Sequence, residues 1–315
     1  MKGLVALAAV VSLAVAGCST SSVGSPSPSS ATSSSAASGA GQVNVVASTN
    51  VYGDIVKTIG GPAVAVTSII DSPDKDPHEY EADAQTQLAL SKAQLVIENG
   101  GGYDDFVDTM LKSVPTTPTV INVADVSGRN QHPAAGEFNE HLWYDFPTVE
   151  KLAVQLVTSL SAAEPGQAAT FKSNASAFAT ELGQLQRDEA AIKAKHEGEG
   201  VAITEPVPLY LLEGAGLVNK TPGRFSEAIE EDTDVSPAVL KETENLFDTK
   251  QVKLLAYNQQ TTGPQTEAVL AAAKRNNIPV VPVTETLPTD QSYLSWMQAN
   301  LRAISTALTN DRGHL

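Results

Sequence analysis

From about Val43 to Leu308 the chain alternates short β-branched runs with amphipathic helical stretches across short connections, and this alternation constrains the fold more than any other feature. Val43 to Ser48 reads as a strand, and the segment after it carries Val51, Ile55, Val56 and Ile59 at helical spacing. The same grammar repeats with strands predicted at Val64 to Ile70, Leu95 to Glu98 and Thr119 to Asn122. Helices are predicted at Ala84 to Lys92 and Tyr103 to Lys112, and Gly100-Gly101-Gly102 reads as a turn. Such alternation gives parallel sheets covered by helices on both faces.

After a helix from Pro147 to Leu160, Glu164-Pro165-Gly166 restarts a stripe through Phe171, Ala175, Phe178, Leu182, Leu185 and Ile192 that predicts a helix to about Lys195. That exceeds the usual helix of about 11 to 12 residues. The alternation then resumes, with strands at Gly200 to Thr204, Lys253 to Tyr257 and Val280 to Val283. Its helices fall at Leu209 to Ala215, Ser236 to Asp248, Gln265 to Asn276 and Tyr293 to Leu308. The expected fold is α/β, with two parallel-sheet (β/α) lobes joined by a long rigid helix. The expected domains are an N-terminal lobe over 43–163, the connecting helix over 164–198 and a C-terminal lobe over 199–315. In such sheets ligands bind beyond the carboxyl ends of the strands, so the loops there are where chemistry belongs.

The N-terminus speaks to location. Lys2, an apolar run from Leu4 to Ala16 and then small residues read as a signal peptide over 1–17, too short to span a bilayer as a helix. Val15-Ala16-Gly17-Cys18 resembles the bacterial lipobox, which implies a lipidated Cys18 on the outer face of the cell membrane. Cys18 is the only cysteine, so no disulfide is available and stability must come from a buried core. Residues 18–42 are rich in serine, without charge, and read as a disordered tether. The net charge of −16 argues against nucleic acid, since phosphate binding needs basic clusters and none is visible.

Four loops hold candidate ligands: Asp76-Pro77-His78 through Asp83, Asn139-Glu140-His141 through Asp145, Thr204-Glu205-Pro206 and Thr284-Glu285-Thr286. No HExxH, CxxC pair or phosphate-cradling glycine loop occurs. Taken in order, DPHEYEAD, EHLWYD, TEPVPLYLLEGAGL and VTETLP followed by YLSWM resemble the signatures of the zinc and manganese solute-binding proteins of ABC importers. The resemblance covers about Val43 to Leu308. It implies a metal cleft between the lobes, a cognate ABC permease as partner, a monomer and no catalysis.

Carried over from that family, the ligands are His78, His141, Glu205 and Glu285. Glu285 stands where the family usually has an aspartate, and Asp290 is a nearby alternative; Glu285 is placed first because it directly follows the strand. His132 is the sole histidine in the stretch before the second motif and reads as a surface residue that could pass ions inward. Two imidazoles with two carboxylates suit Zn2+ or Mn2+ and would neutralise a dication, with the oxygen ligands leaning slightly to manganese. An ion held by both lobes would clamp them together. The competing readings are an extracellular metallohydrolase with Glu205 or Glu285 as general base, and an adhesin-like surface protein with a structural metal.

Overall fold

The computed structural model describes residues 41–72, 80, 83–134 and 136–310. The expected signal peptide, Cys18, the tether and His78 lie outside the described residues. The first sheet comes from β1 (Val43–Thr49), α1 (Asn50–Gly60), β2 (Val64–Ile70), α2 (Ala84–Lys92), β3 (Leu95–Glu98), α3 (Asp105–Leu111) and β4 (Thr119–Asn122). Its strands are all parallel in the order β2-β1-β3-β4. β1 is buried at every position but Asn44, as a central strand covered on both faces must be. Asp83 caps α2, its Oδ1 accepting the amides of Gln85 and Thr86 at 2.9 and 2.8 Å.

Between the sheets run α4 (Val123–Ser127), α5 (Phe146–Ala163) and the long α6 (Ala168–His196). The expected helix from Glu164 begins later, because Pro165–Gln167 form a 3-10 turn that α6 follows. Pro165 has no amide to donate, so α5 cannot continue through it. Over its 29 residues α6 buries Phe171, Phe178, Leu182, Leu185 and Ile192, the expected stripe.

The second sheet is built from β5 (Gly200–Ile203), α7 (Leu209–Gly214), β6 (Val218–Asn219), α8 (Gly223–Glu230), α9 (Pro237–Asp248), β7 (Leu255–Asn258), α10 (Pro264–Arg275) and β8 (Val280–Val283), followed by α11 (Tyr293–Asn310). It is parallel in the order β6-β5-β7-β8. Ser236 caps α9 ahead of Pro237, its Oγ accepting the Val239 amide at 3.4 Å.

β6 and α8 have no counterpart in the sequence reading. β6 is only two residues long, and α8 carries just two large apolar residues, Phe225 and Ile229, one turn apart. That is too short a pattern to stand out as a period. α8 nevertheless brings Glu230 to the candidate site.

α6 packs against α1 and α5 from the first half and α7 and α11 from the second. A single hydrophobic cluster runs from β1 through Trp143, α5 and α6 to β5, β8 and α11. Polar bonds cross between the two halves as well. Asn50 pairs with the Leu287 backbone at 2.9 and 2.8 Å, and the Tyr144 hydroxyl donates to the Thr284 carbonyl at 2.9 Å. The halves thus share direct ties, and a bound ion would add to a closure the polypeptide already makes. Among the described residues no helix is long and apolar enough to cross a membrane.

Candidate metal centre

In each sheet the chain leaves the middle pair of strands in opposite directions, so a crevice forms at their carboxyl ends. Glu205 lies two residues past the end of β5 and Asn258 ends β7, the middle pair of the second sheet. Asn99 and the glycine turn follow β3 in the first sheet. Gly100, Gly101 and Gly102 have φ of 71°, 68° and 100°, a left-handed run that side chains resist. A Cβ on Gly101 would come within 2.4 Å of the Phe138 ring. Asp104 closes the turn by accepting the Asn99 and Gly100 amides at 2.6 and 2.8 Å, which delivers Tyr103 to the crevice.

His141 is fully buried and sits just before the 3-10 turn Leu142–Tyr144. Its Nδ1 is 2.8 Å from Asn139 Oδ1. An amide oxygen only accepts, so Nδ1 carries the proton and Nε2 presents its lone pair to the crevice when the ring is neutral. Asn139 is itself anchored across the halves, donating to the Pro206 carbonyl at 3.1 Å. Trp143 and Tyr103 wall the ring, their centroids 5.2 and 6.0 Å from that of His141.

Two carboxylates converge on that nitrogen. Glu230 Oε1 lies 3.4 Å from Nε2, and Glu285 Oε2 lies 3.9 Å from it. Glu285 is fully buried directly after β8; Asn258 donates to its Oε1 at 2.8 Å and Tyr103 to its Oε2 at 3.4 Å. Gln260 Oε1 accepts the Glu285 and Thr286 amides at 2.7 and 3.1 Å, which fixes the loop. Glu205 is 2% exposed, and its Oε2 is buried without a hydrogen-bond partner. A buried polar atom left so costs about 1–3 kcal/mol, a debt a ligand can remove.

The electrostatics fit a site made for positive charge. Burial pushes Glu205 up, and the neighbouring Glu230 and Glu285 push it further, to about 8, against hydrogen bonds from Thr261 and Asn258. Burial alone would lower His141, but Glu230, Glu285 and Glu140 outweigh it and hold the imidazole at about 9. Glu205 therefore holds its proton, and His141 its positive charge, to higher pH than usual until a cation displaces them.

Three of the four residues expected from the sequence thus meet in one buried place: His141, Glu205 and Glu285. His78 lies outside the described residues. Asp290 is exposed with φ 62°, and His132 is exposed near the glycine turn. Sequence reasoning missed Glu230, Asn139 and Tyr103 as parts of the site. The Asn139-Glu140-His141 run held a signal for Asn139, because a side-chain amide two residues before a buried histidine can reach its ring. One potential ligand atom from each of Glu140, His141 and Glu230 lies within 4.8 Å of the others. Glu140 and Glu230 also line a cleft of about 430 Å3 at this place.

Two parallel-sheet lobes with a histidine and several carboxylates buried between them define a solute-binding protein whose cleft suits a metal cation. Residues 45–307 match the family model of ZnuA, zinc-uptake complex component A, periplasmic, and the chain belongs to that family. The metal ABC transporter substrate-binding lipoprotein FimA of Streptococcus parasanguinis is 26% identical over 291 residues, 86% of this chain and 90% of FimA. The manganese-binding lipoprotein MntA of Bacillus subtilis is 24% identical over 276 residues, 87% of this chain and 85% of MntA. In fold the chain is similar to the periplasmic zinc-binding protein TroA from Treponema pallidum, with TM-score 0.71 and 18% identity over 85% of this chain and 99% of TroA.

Proposed function

We propose that this protein captures a divalent transition metal, Zn2+ or Mn2+, outside the cytoplasm and delivers it to a cognate ABC permease, with Cys18 carrying the lipid that anchors it to the membrane. The ion is cargo, and the reading assigns its capture to His141, Glu205 and Glu285 together with His78. The observation that carries this reading is the burial side by side of His141, from the 3-10 turn before α5, with Glu205 and Glu285, from the ends of β5 and β8. Buried carboxylates are costly unless paired, and a dication is the partner that matches them. The family and the names of its relatives, several of them metal-binding lipoproteins, support the same reading.

Each group has a distinct task. Asn139 holds the His141 ring and its tautomer, so the Nε2 lone pair faces the ion. Asn258 and Tyr103 hold the Glu285 carboxylate in place. Trp143 and Tyr103 keep bulk water from the imidazole. Every ligand binds in its deprotonated form, so loading releases protons.

Competitive titration with Zn2+ and Mn2+ against a fluorescent chelator tests the reading; saturable 1:1 binding of either ion supports it, and no binding of either sinks it. Asn139→Ala should weaken affinity about 10- to 100-fold, the usual cost of losing the group that orients a ligating histidine. An unchanged affinity would show that the ring needs no such holder. For the anchor, Cys18→Ser should move the protein from the membrane fraction to the medium. Retention of this variant on membranes would overturn the lipid assignment.

A further inference from the structure

We propose that Glu230 is an additional protein ligand of the bound ion and the residue that biases the site toward Mn2+ over Zn2+. This rests on the reading that His141, Glu205 and Glu285 hold the cargo.

The geometry comes first. Glu230 Oε1 is 3.4 Å from His141 Nε2, closer than the Glu285 oxygen at 3.9 Å. Both acids therefore address the nitrogen that Asn139 turns toward the crevice. The Glu230 side chain is only 11% exposed. The buried Glu205 Oε2, which makes no hydrogen bond, is a separate sign that an electropositive ligand belongs here.

The placement of Glu230 is also poor for the helix that carries it. It is the last residue of α8, where the helix macrodipole presents its negative end and a carboxylate is unfavourable. Phe225 and Ile229, buried on the same helix, fix its rotation. An acid that is badly placed for its own helix and well placed for the cleft is explained by the cleft.

The chemistry sets the direction of the bias. Zinc is content with four ligands in a tetrahedron, a number reached without Glu230. Manganese prefers more ligands and oxygen donors, so a third carboxylate adds to its shell more than to that of zinc. A role for Glu230 as mere background charge would instead act on both dications alike.

The test compares the purified full-length protein with its Glu230→Gln and Glu230→Ala variants, each titrated with Mn2+ alone, Zn2+ alone and then both in competition. Glu231→Gln, at the exposed neighbouring position, serves as the control. Circular dichroism verifies that each variant folds, and the near-isosteric glutamine keeps the test open if the alanine variant does not. The expected result is a fall of at least about 10-fold in Mn2+ affinity with less than about 3-fold change for Zn2+. Unchanged affinities, or equal losses for both ions, overturn the assignment while leaving the proposed function intact. A wild-type protein that binds neither ion overturns both.

Discussion

Replacing His141 with alanine is expected to lower affinity for Zn2+ and Mn2+ by more than about 100-fold, since losing even the group that orients such a histidine costs about 10- to 100-fold. The variant removes the one imidazole nitrogen on which Glu230 and Glu285 converge. Glu205, Glu230 and Glu285 are then left without a nitrogen donor to share the ion. His132→Ala is the matched control, because His132 is exposed and its loss should change affinity by less than about 2-fold. Competitive titration reads both. A His141→Ala protein that still binds with wild-type affinity would remove the central ligand from the proposed site.

Metal loading should also oppose the pH dependence of stability. In the metal-stripped protein Glu205 sits at about 8 and Glu98 at about 7, both pushed up first by burial. His141 sits at about 9, where the nearby carboxylates outweigh the lowering effect of burial. All three folded-state values lie above their unfolded ones of about 4.3 for glutamate and 6.5 for histidine. The folded protein thus binds more protons than the unfolded chain across this range. The stability these groups contribute is complete below the unfolded values and is lost as pH rises through 7 to 9.

The stripped protein should accordingly melt lower at about pH 8.5 than at about pH 6, by on the order of 5 °C, where 1 kcal/mol is worth about 2–4 °C. Metal acts with the opposite sign, because its competitors for these groups are protons. At a free concentration of about 1,000 Kd it stabilises by about 4 kcal/mol. The gain in melting temperature on adding metal should be larger at about pH 8.5 than at about pH 6. Differential scanning calorimetry at both values, with and without metal, checks the sign. A metal-induced gain that shrinks with rising pH would show that the site groups are not the ones displaced.

Much of the fold was legible before the structure, for a local reason. β1 carries β-branched residues on both faces and α1 repeats Val51, Ile55 and Ile59 on one side, so each segment declares its own period. Likewise Asp83 and Ser236 mark helix starts because a cap acts over only two or three residues. The site was partly legible for the same kind of reason. Glu205 and Glu285 closely follow strands, and the strand ends of a parallel sheet are where ligands go.

Other features had no local trace. α8 packs through only Phe225 and Ile229, and nothing in its eight residues announces that Glu230 turns toward His141. Asp290 and Glu285 are both acids in one loop, yet the first is exposed and the second is fully buried against Asn258 and Tyr103. The choice between them comes from β7 and the glycine turn, far away along the chain.

The alternation of strands and helices, the long α6, and the residue types able to meet a cation are all written locally in the chain, because periodicity, capping and donor chemistry are properties of short segments. Which acids share the imidazole of His141 is settled by packing alone, because it depends on distances between residues up to 144 positions apart (285 − 141), set by how two sheets pack around one core.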